Sequence, residues 1–249
     1  MTMRELFYFI FTVLFLTQQV SAQKSDTLAC DSTYRISYTQ VIIPVTMVGV
    51  GFIGLGHNWF RKEDRIIRNE LTENGTHRFP LDNYTQFVPA IAVYGLNLYG
   101  IKGKHDYKDC TAVLVTASLL MATTVNSLKA ITKEERPNGA NRKSFPSGHT
   151  ATAFMGAEFL WQEYKDVSPW IGIAGYTIAA GTGFLRLYNN QHWLTDVIAG
   201  AGIGILSTKA AYWLLPYIHK KLFTKKSFNM TAAPFASTRN IGINCSLIF

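Results

Sequence analysis

KAITKEERP, residues 129–137, closes one apolar run, and PSGH, residues 146–149, opens the next. RLYNNQHWLTD, residues 186–196, joins two more. Cations and imidazoles gather in these stretches, where apolar segments meet polar loops, so the reading of the runs around them decides the fold. The runs lie near 39–55, 86–101, 111–128, 150–161, 170–185 and 193–215, rich in alanine, leucine and isoleucine without regular alternation. Runs of that length and pattern favour helix over strand. Six helices are expected. The first stretch ends helix three and the second opens helix four, so both lie at one end of a bundle. The third joins helices five and six at that same end.

Outside these runs the chain is more polar. Residues 1–22 begin with Arg4, continue through the apolar run Leu6 to Leu16 and finish at Val20-Ser21-Ala22, a secretory signal pattern whose competing reading is an uncleaved anchor helix. From His57 to Tyr84, Arg61, Lys62, Arg65 and Arg68 mix with Glu63, Asp64 and Glu70, which predicts an amphipathic surface helix. After Leu215 come Lys220, Lys221, Lys225 and Lys226, then a tail in which Ile241, Ile243, Cys245, Leu247 and Phe249 alternate with other residues as in a strand. The expected division is a signal or anchor at 1–22, one helical domain at 23–218, and a basic segment with a β-like tail at 219–249.

The chain has 249 residues, 48% of them hydrophobic, which suits one domain with a filled core and leaves open whether its helices meet lipid or water. The fourth run contains Glu158 and the fifth is short, so both could equally be core helices. The formal charge of +8 suits an anionic partner. No zinc-finger spacing, helix-turn-helix or basic face interleaved with aromatics points to nucleic acid. Cys30, Cys110 and Cys245 lie far apart, and no Cys/His cluster has metal-ligand spacing.

A phosphate ester needs cations on its oxygens, an in-line nucleophile and an acid for the leaving alkoxide. Lys129, Arg136 and Arg186 can supply the cations, the two guanidinium forks matching phosphate geometry. Alone, each reads as a solvated loop charge. Ser147 stands just ahead of the helix that starts near His149, where it can cap that helix while its hydroxyl and nearby N–H groups face an anion. Gly148 lets backbone approach closely. His192 and Asp196 are four residues apart, which places both on one face of a helix. The carboxylate can hold one imidazole nitrogen and leave the other free to attack phosphorus, while His149 protonates the leaving oxygen.

Together the three stretches resemble the signature of the type 2 phosphatidic-acid phosphatase superfamily: Lys, six residues, Arg-Pro; Pro-Ser-Gly-His; Ser-Arg, five residues, His, three residues, Asp. The chain departs from it only at Leu185, where the family has Ser, which puts substrate range in doubt by removing a phosphate contact. With about ten fixed positions at roughly 5% usage each, a chance match in this order is negligible. The resemblance implies an all-α six-helix bundle, embedded in a membrane, with the site on its outer face. It implies a phosphohistidine nucleophile at His192, oriented by Asp196, with His149 as general acid. Lys129, Arg136, Ser147, Gly148 and Arg186 would bind phosphate, with no metal and no cofactor. The implied substrate is a lipid phosphate, lipid A first among the choices. Undecaprenyl pyrophosphate and phosphatidyl-type phosphates are the other choices, and no obligate protein partner is expected. The family also contains soluble exported acid phosphatases, the alternative reading. Topology signals disagree: crossing counts from a cleaved signal put the site inside, whereas the lysines at 220–226 put it outside.

Overall fold

The computed structural model describes residues 38–73, 79–222, 229–236 and 241–248. Residues 1–22, expected as a signal, lie outside that set. Eight helices occur among the described residues, not six: α1 (Tyr38–Gly56), α2 (Asn58–Thr72), α3 (Asp82–Thr85), α4 (Val88–Leu98), α5 (Tyr107–Thr132), α6 (Gly148–Tyr164), α7 (Pro169–Tyr188) and α8 (Leu194–Leu222). The two beyond the six apolar runs are α2, the amphipathic surface helix expected between His57 and Tyr84, and α3, which was not expected. α2 is polar on most of its surface and α3 is a single turn of four residues. Two strands, β1 (Asn229–Ala236) and β2 (Ile241–Ile248), pair antiparallel with Asn229 opposite Ile248.

Hydrogen bonds at the helix ends give the direction of each run. Asp82 ahead of α4 reaches Arg186 at the end of α7, and Tyr164 at the end of α6 donates to the carbonyl of Val93 in α4. α1, α5 and α7 therefore run toward the end where the three polar stretches meet, and α4, α6 and α8 run away from it. α2 and α3 lie at that end.

α6 is the axis of the bundle, packed against α7, α8, α4 and α5, while α8 also packs on α1. The core is built from Val113, Ala117, Met121, Met155, Phe159 and Ile203. Enclosure explains why α6 tolerates acidic residues. Glu158 accepts a hydrogen bond from Lys209 Nζ at 2.6 Å, and Glu163 accepts from the backbone N–H of His105 at 2.9 Å and from the Tyr212 hydroxyl. Buried charges are kept when they are paired and hydrogen-bonded in this way.

α1, α5 and the stretch Leu194–Ile218 of α8 are long and apolar enough to cross a bilayer. Ile42, Val45, Ile53, Val115 and Leu119 stand exposed on α1 and α5, a surface suited to lipid. The chain is a membrane protein on this reading. At residue 200 α8 needs glycine, since a Cβ there would lie 2.5 Å from the Ser147 carbonyl oxygen. This close approach of α8 to the PSGH segment sets the distance between the two halves of the site.

Candidate active site

α7 ends in a turn that delivers the nucleophile candidate. Asn190 adopts a left-handed conformation with φ of 54°, and the N–H groups of Asn190 and Gln191 donate back to Leu187 and Arg186 carbonyls at 2.9 and 3.0 Å. This is the Schellman closure of a helix, with asparagine in the left-handed position. It reverses the chain so that His192 enters the bundle and is 3% exposed.

The structure brings His192 and Asp196 together, with an addition that the spacing does not reveal. Nδ1 of His192 lies 3.4 Å from Asp196 Oδ2, long for a direct hydrogen bond. Ser144 Oγ fills the gap: it donates to Asp196 Oδ2 at 2.5 Å and lies 3.5 Å from His192 Nδ1. The Trp193 N–H also donates to Asp196 Oδ2, at 2.9 Å. Nδ1 is thereby turned toward the Ser144–Asp196 pair, which leaves Nε2 as the nitrogen for chemistry.

Burial first, and then the positive charges of Lys129, Arg186 and Arg136, hold the His192 imidazole well below its ordinary range. It is therefore neutral and nucleophilic at physiological pH. The same three side chains meet at this histidine although they come from the end of α5, the following loop and the end of α7. Lys129 Nζ donates to the carbonyls of Lys143 and Ser144 at 2.7 and 3.2 Å, which leaves one of its three protons for a ligand. Arg136 Nη1 donates to Gln191 Oε1 at 2.6 Å, and Arg186 Nη1 pairs with the buried Asp82. The buried Nε of Arg136 and the buried Nε of Arg186 have no partner among the described residues. Two buried guanidinium donors in that state beside a neutral imidazole have the chemistry to hold an anion with several oxygens.

His149 occupies the first turn of α6, its Nε2 2.9 Å from Asn83 Oδ1. Burial, then Arg186, pushes its pKa down to about 4. Ser147 stands at the N-cap position, but its hydroxyl pairs with Thr150 Oγ1 at 2.9 Å, so the expected backbone cap is not made. Gly148 has more room than expected: a Cβ there would meet Val125 Cγ1 at 3.8 Å, an ordinary contact. Nothing in the protein itself requires glycine at this position. Among the described residues, no group of three or more His, Cys, Asp or Glu side chains is placed to hold a metal ion.

Asp82, Asn83, Ser144 and Gln191 bond directly to Arg186, His149, Asp196 and Arg136, and the sequence reading did not single them out. Asp82 and Asn83 arrive on α3, a turn with no apolar signal. Asp64 on α2, its carboxyl pushed up to about 6 by burial, accepts hydrogen bonds from Thr195 Oγ1 at 2.7 Å and Thr195 N at 3.2 Å.

Residues 110–220 match the family model of the PAP2 superfamily. The chain is 39% identical over 164 residues to the lipid A 1-phosphatase of Porphyromonas gingivalis, an alignment covering 65% of this chain and 36% of that protein. The chain thus spans about a third of the length of that curated relative. Among solved structures, it resembles LpxE of Aquifex aeolicus at 24% identity and a TM-score of 0.45, covering 60% of this chain and 92% of that one. It also resembles the transmembrane PAP2-type phosphatidylglycerolphosphate phosphatase of Bacillus subtilis at 21% identity and a TM-score of 0.46, covering 74% and 98%.

Proposed function

We propose that this chain, whose residues 110–220 match the family model of the PAP2 superfamily, removes the terminal phosphate of a lipid without a metal ion, through a phosphohistidine at His192. The observation that carries the proposal is the pair of unpartnered buried Nε donors of Arg136 and Arg186, set around a buried, neutral His192. Arg136, Arg186 and the free proton of Lys129 would take the non-bridging oxygens. Nε2 of His192 would attack phosphorus while the bond to the lipid oxygen breaks, with His149 giving that oxygen its proton. Water activated by His149 would then release phosphate from the imidazole. Asp196 and Ser144 would hold the ring and stabilise it as it becomes cationic.

A lipid substrate is supported by the apolar exposed helices beside the site and by the lipid A 1-phosphatase relative. Lipid A is therefore the first substrate to test, followed by undecaprenyl pyrophosphate, phosphatidylglycerol phosphate and phosphatidic acid. The same exposed helices disfavour the soluble acid phosphatase. In detergent, phosphate release from the lipid is expected to survive EDTA and to be inhibited by vanadate, which mimics pentacoordinate phosphorus. Loss of activity on chelation, restored by a divalent ion, would sink the metal-free mechanism.

The site is proposed to face the cell exterior. Lys220 and Lys221 end α8 at the opposite end of the bundle, and basic residues beside a span favour the cytoplasm. With the native cysteines replaced, Ala140→Cys in the exposed loop beside Arg136 should react with a membrane-impermeant maleimide in intact cells. Lys220→Cys should react only after permeabilisation, and the reverse pattern would place the site inside.

A further inference from the structure

We propose that Asp64 is a positioning residue, acting from α2 through Thr195 to set the geometry of the His192–Asp196 unit. The inference rests on the phosphatase reading of that unit. α8 starts at Leu194 directly after Trp193, whose side chain offers no oxygen to the open N–H groups of the first turn. The acceptor comes instead from a separate helix. Asp64, 7% exposed, takes the Thr195 N–H on Oδ1 at 3.2 Å and the Thr195 hydroxyl on Oδ2 at 2.7 Å.

Thr195 is also clamped from the other side. A Cβ at Gly54 of α1 would lie 2.4 Å from its Cγ2, so the threonine occupies space that only glycine leaves open. It is thus held between α1 and α2, one residue before Asp196 and three after His192. Arg68, one turn further along α2, donates from Nε to Asn190 Oδ1 at 3.3 Å, in the left-handed turn that introduces His192. α2 therefore grips both flanks of the unit. A polar helix at the bundle end, which looks from its charges like a solvated face, sets the angle at which the imidazole meets phosphorus.

The test is a single turnover of nitrophenyl phosphate in detergent, with the full-length protein in saturating excess. Under that condition the rate constant does not depend on how many molecules are competent, so partial misfolding leaves it unchanged. Asp64→Ala is expected to lower it about 10- to 100-fold, the effect of a displacement on the order of 1 Å. Asp64→Asn can accept from the Thr195 N–H and donate to its hydroxyl, so it should recover the rate constant to within about threefold. Thr195→Val, which keeps its shape and loses only the hydroxyl, should be slowed as well, and adding Asp64→Ala should cost less than the two separate losses combined.

A wild-type rate constant in Asp64→Ala, with only thermal stability reduced, overturns the inference and leaves Asp64 a structural residue. Should Asp64→Ala fail to fold, Thr195→Val decides, and an unchanged rate constant there overturns it equally. Failure of the phosphatase reading looks different: the wild-type protein then releases no nitrophenol, or His192→Ala releases it as fast.

Discussion

His192→Ala is expected to lower turnover by about 10⁴-fold or more on every substrate and to leave no covalent phosphoenzyme, because the attacking nitrogen is gone. His149→Ala should differ. The alkoxide of an alkyl or lipid phosphate is a strongly basic leaving group, so such a substrate should lose about 10²- to 10⁴-fold without the acid, whereas nitrophenyl phosphate needs little protonation and should be partly rescued. Asp196→Asn should fall between the two, since it keeps the shape and weakens the hold on the ring. Rapid acid- and base-quench trapping reads the intermediate directly. Acid-labile phosphate on His149, or normal turnover in His192→Ala, would refute these roles.

His149 and the substrate phosphate also set the pH dependence. The His149 imidazole, held down to about 4, is unprotonated in the free site at neutral pH. Its proton must then arrive with the substrate, as a phosphate monoanion with a pKa of about 6. For the wild-type protein, kcat/KM on a lipid phosphate is therefore expected to fall above about pH 6, where the phosphate loses that proton. A profile that rises steadily through pH 8 would mean that a different group supplies the proton.

Arg186 is expected to serve both phosphate binding and stability. Arg186→Ala should cost about 10²- to 10³-fold in kcat/KM, the loss of preorganised donors to the phosphoryl oxygens. It should also destabilise the protein by about 3–5 kcal/mol, because Asp82, 1% exposed, is left without its counterion. Adding Asp82→Asn removes the unpaired buried charge, so the double variant should regain thermal stability in detergent and none of the activity. Arg186→Lys keeps the charge but lacks the fork, and should remain at least about tenfold impaired. If Asp82→Asn restores turnover as well, the arginine acts on the fold and not on phosphate.

Leu185 is the one signature position that differs, and the half-buried leucine keeps its place in the last turn of α7 beside Arg186. Lys129, Arg136, Arg186, His149, His192 and Asp196 were legible because each stands at a fixed spacing in the short stretches where helices meet loops, and a helix end fixes where its neighbours project. The bundle's six apolar helices were legible for the same kind of reason, since apolar runs repeat along the chain and periodicity is a local property. α2 is the amphipathic surface helix that the charges between His57 and Tyr84 led one to expect, whereas α3 was missed, because a single turn leaves no such run. The sequence by itself determined which residue types could carry the chemistry and that they gather at one end of the bundle. Only the tertiary structure decided what holds them: Asp82 lies 104 residues from Arg186, Asn83 lies 66 from His149, and Asp64 lies 131 from Thr195. Contacts across such separations leave no periodicity to read, since they form only when helix packing brings distant turns within hydrogen-bonding distance.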